Sequence, residues 1–336
     1  MEISYNLIAL IGLFQQVPRP GHGMMAEKMI YLLYENEIRS KMKKINPKDF
    51  LIKPRKKIKI DELPTRYDLD ADKEKIEDEL RKVRRKIAKL QTKIYAAGTP
   101  AVYIGIQGMD TAGKDSMIRE VFKDINPSGI FVYDFKKPTA EEHAHDYIWR
   151  HYKKMPERGM FVVHNRTHYE DVLIARIHPQ LVLAQNIYGI NSLDDITDKF
   201  WKQRYRQIKD FERLQTENGT IMIKLYLHLS KEEQKNRFLR RIRREDKQWK
   251  FNEADLKERK RWDEYMEVYE DVLNNTSTSY APWYYIPADD KPTARLIAAK
   301  IIYDILKNLK VDFPKLSEEE KKKFEEYRQQ LLNEKD

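Results

Sequence analysis

Two hydrophobic rhythms alternate along this chain. Over residues 72–97, "DKEKIEDELRKVRRKIAKLQTKIYAA", apolar positions recur every three or four residues, which predicts a long amphipathic helix closed by Gly98 and Pro100. Residues 101–107, "AVYIGIQ", are then almost continuously apolar, the pattern of a strand covered on both faces. Similar runs stand at 129–135, "GIFVYDF", at 160–165, "MFVVHN", at 220–229, "TIMIKLYLHL", and at 283–287, "WYYIP". Helical stretches are expected at 26–44, 114 to about 125, 139–154, 193–216 and 294–309. Strand and helix in alternation predict a mainly parallel sheet between helical layers, a three-layer α/β/α arrangement. No internal repeat is present, and there is one glycine-rich turn, which argues against a duplicated domain.

That turn, "QGMDTAGKDSMI", lies between the first apolar strand and a helix. Gly108, Gly113 and Lys114 fit GxxxxGK, a loop whose backbone N–H groups wrap a phosphate while the helix N-terminus adds favourable partial charge. Lys114 would reach the outer phosphates. The usual loop continues with Ser or Thr; here Asp115 fills that place, and Asp110 adds a second carboxylate. Two carboxylates beside a phosphate site repel the ligand unless a divalent cation lies between, so the loop calls for Mg²⁺ held partly by Asp110. Asp115 reads better as a cap on the helix that it opens. A second constellation, "MFVVHNRTHYEDVLIARIHP", ends a later strand, where ligands of parallel sheets bind. Asn165 stands where a phosphate-loop enzyme normally has an Asp, followed by Arg166, Glu170 and Asp171.

Composition and charge narrow the picture. Of 336 residues, 41% are hydrophobic and 35% charged, enough apolar sequence for a folded core. Cysteine is absent, which excludes disulfides, thiolate metal sites and cysteine nucleophiles and suits a reducing, cytoplasmic setting. The net charge is +10, and it concentrates in two places: "KPRKKIK" at 53–59, and residues 231–262, where thirteen Lys or Arg face seven Asp or Glu. Such stretches are either solvated surface or a surface for a polyanion. His143 and His145 are two residues apart, which does not put both on one helix face as a metal pair requires. At the start, "YNLIALIGLF" at 5–14 is too short to span a bilayer and has no basic residue before it, so neither a signal peptide nor a membrane anchor is expected. Pro18, Pro20, Gly21 and Gly23 then break the chain ahead of Met24 and Met25, which marks Met24 as an alternative start of translation, testable by intact mass.

With these motifs the chain resembles the polyphosphate kinase 2 family. The resemblance runs from about Pro47 to about Leu309, through "PKDFLIKPRKKIKI", "LQTKIY", "QGMDTAGKDSMI", "NPSGIFVYDFKKPTAEEHAHDYIWR", "PERGMFVVHNRTHYEDVL", "RFLRRIRREDKQWKF" and "NTSTSYAPWYYIPADDKPTARL". The family's phosphate loop is similar to GxDxxGKD, so Asp110 and Asp115 are what membership implies. It further implies a P-loop kinase fold over 45–310 with a helical lid at about 231–262; outside the resemblance, the sequence itself suggests an N-terminal extension with a helical arm within 1–44 and a charged C-terminal helix over 311–336. The implied reaction is reversible, magnesium-dependent (or manganese-dependent) phosphoryl transfer between inorganic polyphosphate and nucleoside mono- or diphosphates, with homo-oligomeric assembly as a dimer or tetramer. Asn165 within "NRTHYEDVL" resembles branches that accept AMP as well as, or instead of, ADP.

Residue by residue, the resemblance implies Asp110, Lys114 and Arg166 as the catalytic group, and Gly108, Gly113, Lys114 and Asp115 around the phosphate. It implies Asp110, Asn165 and Glu170 near the metal, Arg237, Arg241, Lys247 and Lys250 on the lid, and Lys136, Lys137, Asp146 and Arg150 as the grip on the acceptor. The residues alone leave two other readings open: an ATP-dependent nucleoside monophosphate kinase, and a non-catalytic polyanion-binding protein. No aromatic RNA-binding signature accompanies the basic charge, so nucleic acid is not an expected partner.

Overall fold

The computed structural model describes residues 42–249 and 251–334. Most of the helix expected over 26–44, the alternative start at Met24 and the lid residue Lys250 lie outside the described residues, and 42–44 are not helical. The chain divides into two units. The smaller comprises 1–44 with 68–75, and within it the Lys43 N–H donates to the Leu69 carbonyl at 2.8 Å. The larger comprises 45–67 with 76–336 and contains every site described below.

Six strands form its sheet: β1 (Leu51–Ile52), β2 (Ala101–Gly108), β3 (Ile130–Asp134), β4 (Phe161–Asn165), β5 (Thr220–His228) and β6 (Trp283–Pro287). Their order is β1-β6-β5-β2-β4-β3, and every neighbouring pair is parallel except β1 with β6. β2 lies between β4 and β5 and is buried at every position, which is why its sequence is apolar without alternation. β3 is an edge and leaves Phe131 and Val132 half exposed.

The main helices are α1 (Lys73–Ala97), α2 (Lys114–Val121), α3 (Asp198–Glu217), α4 (Lys231–Arg243), α5 (Glu253–Lys260), α6 (Trp262–Thr276), α7 (Lys291–Lys307) and α8 (Glu318–Asn333). α1 buries Ile76, Leu80, Val83, Ile87 and Ile94, one face at helical spacing. α7 is apolar enough to be internal and packs on α2 and β6. Elsewhere, Trp201 and Tyr205 of α3 join Tyr265 and Tyr269 of α6 in one apolar cluster with Tyr226 of β5 and Trp283 of β6. Inside this cluster Lys224 donates to Glu212 at 2.7 Å, to the Tyr169 hydroxyl at 2.8 Å and to the Thr276 carbonyl at 2.9 Å. Both charged side chains are fully buried, so this network fixes the segment after β4 against β5, α3 and α6.

Two expectations are corrected, and the basic arm, left open by the sequence, is placed. The helix expected over 139–154 is two single turns, Ala140–His143 and Trp149–Tyr152. Between them the Asp146 carboxylate accepts the Ile148 and Trp149 N–H groups at 2.8 and 3.2 Å, a local bond that competes with a continuous helix. α2 stops at Val121, short of residue 125. The basic arm at 53–59 lies along α6: Asn274 exchanges two hydrogen bonds with the Ile58 backbone, and Lys59 meets Glu270 at 3.0 Å. Its Lys53, Arg55, Lys56 and Lys57 are exposed. α8 is capped by a reciprocal Ser317–Glu320 pair and is exposed throughout. Among the described residues no helix is long and apolar enough to cross a membrane.

Candidate active site

Residues 108–113 join β2 to α2 in a turn that needs glycine. Gly108 has φ +157, and a Cβ there would come within 2.9 Å of the Leu227 carbonyl oxygen on β5. Gly113, at φ +107, is the residue that precedes the helix, so Lys114 and Asp115 fall in its first turn. Asp115 is therefore not the cap. Its carboxylate instead accepts the Asn165 side-chain N–H at 3.0 Å, and a negative charge in a first turn is favourable there.

The Lys114 ammonium folds over the loop, donating to the Gly108 carbonyl at 2.6 Å and the Met109 carbonyl at 3.3 Å. Burial, and next the Arg166 guanidinium, lower its pKa, against the opposing pull of Asp110, Glu170 and Asp115. Such an ammonium gains strongly from an arriving phosphate. Arg166, at φ +64, reaches Asp110 at 3.4 Å and Glu170 at 3.7 Å. Burial opposes its charge, but Glu170 and Asp110 outweigh that and hold its pKa above the ordinary value.

Two cavities meet at these residues. The first, of about 610 Å³, is walled by the loop and by cations that include Arg119, Arg240, Arg241, Lys247, Lys291 and Arg295. The second, of about 760 Å³, mixes apolar walls, among them Phe135, Ile174 and Leu181, with Lys136, Lys137 and Arg150. Asp110, Lys114, Asp134 and Arg166 line both. Asp171, a further wall of the second, has its carboxyl pushed up to about 6 by burial, against Arg204 and Gln185.

The oxygen set beside the loop fits a hard divalent ion. The Asn165 Oδ1 is buried without a hydrogen-bond partner, and the opposite orientation of that amide would place it against the Asp115 carboxylate. Asp110 and this oxygen both line the first cavity or its wall and suit magnesium or manganese. Glu170 does not line it; its carboxylate turns to Arg166 and the second cavity. Among the described residues no three acidic or histidine side chains converge as a metal cluster, so phosphate and water would complete any coordination shell.

Of the expected residues, Arg237, Arg241 and Lys247 line the first cavity, and Asp146 lies outside the second. Arg237 is only 5% exposed, and its guanidinium donates to the carbonyls of Thr111, Ala112, Ala288 and Asp289. It braces the loop through these bonds and also lines the first cavity. Arg241 meets Asp255 at 3.2 Å and Lys247 meets Asp246 at 3.4 Å. Asp146 is spent on its turn and is not part of the second cavity, whereas Lys136, Lys137 and Arg150 are.

A sequence model described as polyphosphate kinase 2 matches residues 70–314. The chain belongs to the polyphosphate kinase 2 family. It is 41% identical over 290 residues to the ADP-polyphosphate phosphotransferase of Rhodopseudomonas palustris, covering 86% of this chain and 99% of that protein. To the AMP/ADP-polyphosphate phosphotransferase of Meiothermus ruber it is 40% identical over 232 residues, covering 69% and 81%. The crystal structure of polyphosphate kinase 2 from Arthrobacter aurescens TC1 is similar at a TM-score of 0.71 and 33% identity, over 80% of this chain and 94% of that one.

In this polyphosphate kinase 2 the sequence patterns passed over several cavity residues, Arg119, Asp134, Asp255, Lys291 and Arg295 among them. Asp134 ends β3 directly beside Asn165 in register, so the strand-end rule applied to β4 also points to it. Asp255, Lys291 and Arg295 arrive from α5 and α7, far along the chain; Lys291 and Arg295 stand within "ADDKPTARL", a stretch that carries the family resemblance but does not by itself mark a cavity residue.

Proposed function

We propose that this kinase transfers a phosphoryl group between inorganic polyphosphate and nucleoside mono- and diphosphates, with both AMP and ADP as acceptors. The observation that carries the reading is the meeting of a cation-walled cavity with a partly apolar one at Asp110, Lys114, Asp134 and Arg166. A chain of phosphates suits the first, and a nucleotide, with its flat base and short phosphate tail, suits the second. Broad acceptor use is supported by the Asn165 block and by the Meiothermus ruber relative, an AMP/ADP-polyphosphate phosphotransferase.

In the forward direction the bond between the last two phosphates of the polymer breaks and a new P–O bond forms to an oxygen of the acceptor's terminal phosphate. The polymer shortens by one unit; AMP becomes ADP, or ADP becomes ATP. This chemistry needs alignment and charge neutralisation more than covalent help. Lys114 and Arg166 place positive charge where the two cavities join, and Glu170 and Asp110 hold Arg166 there. Lys136, Lys137 and Arg150 grip the acceptor phosphate. α4 and α5 supply Arg237, Arg240, Arg241 and Asp255 to the donor wall, and their closure would exclude the water that otherwise consumes the polymer by hydrolysis. Magnesium, or manganese, held by Asp110 and the Asn165 oxygen would supply further neutralisation of phosphate charge.

The deciding experiment offers purified protein, Mg²⁺ and long-chain polyphosphate with AMP or ADP and resolves the nucleotide products. Product from both acceptors is expected; product from one narrows the acceptor range. No product from either, alongside ATP-dependent transfer to a monophosphate, overturns the reading. Assembly as a dimer or tetramer belongs to the same reading and is checked by light scattering.

A further inference from the structure

Three consecutive carbonyls of the phosphate loop are gripped from one side. Gln234 donates its side-chain N–H to the Asp110 carbonyl at 3.1 Å, and Arg237 donates to those of Thr111 and Ala112 at 3.0 and 2.8 Å. The two residues stand three apart on α4, hence on one face. Thr111 has φ +64, a left-handed conformation that a β-branched residue does not choose by itself. The grip therefore helps to set the peptide orientations that follow Asp110. Arg237 anchors the far end of the loop to the segment before α7, while Gln234 connects the near end to α5.

Gln234 is 1% exposed, and its Oε1 accepts from Arg259 Nη1 at 2.8 Å. Arg259 lies on α5 of the lid and also donates to the Lys231 carbonyl at 2.7 Å, at the root of α4. The preceding residue, Glu258, faces the opposite way: it accepts from the Tyr265 hydroxyl at 2.5 Å, meets His178 Nε2 at 2.9 Å and lines the second cavity. One turn of α5 thus touches the wall of the acceptor cavity through Glu258 and the phosphate loop through Arg259 and Gln234.

We infer that Gln234 is a positioning residue that relays the placement of lid helix α5, through Arg259, to Asp110. The inference rests on the phosphoryl-transfer reading and adds a device by which the loop responds to lid closure. An unplaced α5 leaves the Gln234 carboxamide unanchored, and the Asp110 peptide loses the donor that orients it.

The test is a double-mutant cycle with polyphosphate as donor. Gln234→Met keeps the length and removes both polar ends; Gln234→Glu keeps the acceptor for Arg259 and removes the donor to Asp110. Each is expected to lower kcat about tenfold with the donor KM nearly unchanged, because alignment and not ground-state binding is lost. Arg259→Ala is expected to lower kcat similarly, and Arg259→Ala with Gln234→Met no further than the worse single variant. Multiplying losses, an unchanged kcat in Gln234→Glu, or a loss confined to KM overturns the relay. Hydrogen exchange of the 110–113 amides in the substrate-free protein reads the same link without activity: faster exchange in Arg259→Ala is expected, and wild-type exchange overturns it. A wild-type protein that transfers nothing from polyphosphate would refute the proposed reaction instead, and the exchange result would still decide the relay.

Discussion

The Asn165 side-chain amide donates to the Asp115 carboxylate at 3.0 Å, joining the end of β4 to the first turn of α2 and leaving the Asn165 oxygen buried beside the phosphate loop. This one bond explains an Asp where phosphate loops usually carry Ser or Thr. Asn165→Leu removes both the donor to Asp115 and the unpartnered oxygen. It is expected to lower kcat by about tenfold or more and to raise the magnesium concentration needed for half-maximal rate. Steady-state kinetics across a metal titration checks this; unchanged kcat and metal dependence would sever Asn165 from the site.

Arg237, Arg241 and Lys247 all line the first cavity but differ in burial and bonding. Arg237→Ala strands four backbone carbonyls and is expected to destabilise the protein by about 3 kcal/mol or more. Arg241→Ala and Lys247→Ala, from the wall of the donor cavity, are expected to lower turnover with little change in Tm. Thermal melts beside kinetics distinguish the two effects, and unaltered turnover in both of the latter variants would remove them from the lid's working face.

Lys291 opens α7 against the donor cavity, where burial, followed by Arg237, Arg240 and Arg295, pushes its pKa down to about 8. Below that pH it is charged and attracts the polymer; above it the group is neutral, and binding requires proton uptake. The donor KM is therefore expected to rise with pH above 8, by up to about tenfold per unit, while Lys291→Arg flattens the rise. The unfolded chain keeps this proton up to the ordinary value of 10.5, so stability from this group increases with pH between 8 and 10.5. Weakened donor affinity in that window is thus not the onset of unfolding. A donor KM profile identical in wild type and Lys291→Arg would refute the assignment.

The buried Lys224–Glu212 pair tests the scaffold beneath the site. Lys224→Met leaves a carboxylate in the core without its cation and is expected to cost about 3–5 kcal/mol, read as a lower urea midpoint. Lys224→Met with Glu212→Leu should recover much of that loss. Equal destabilisation in the single and double variants would show that the charge of Glu212 is not what makes the single variant unstable.

Legibility in the sequence followed how local each constraint is. β2 and its loop were readable because burial on both faces forces an apolar run and a close approach to β5 forces Gly108. β1 was missed because two residues have no period. The break at Asp146 was missed because a side chain bonding to its own backbone leaves the hydrophobic pattern intact. Helical spacing also could not tell Arg237, buried and bonded to backbone carbonyls, from Arg241, more exposed and paired with Asp255, although both line the first cavity. That distinction depends on the partner carbonyls of Ala288 and Asp289, which arrive from another part of the chain.

Because Asp110, Lys114, Asp134 and Arg166 line both cavities, the junction presents the same groups to a phosphate coming from either side. The fold has no built-in arrow. Substitutions at these four positions change how quickly equilibrium is reached and leave its position untouched. The net flow of phosphate is then set by mass action, by how full the polymer store is relative to the charged fraction of the nucleotide pool. A catalyst of this exchange thus sets its speed and not its end point.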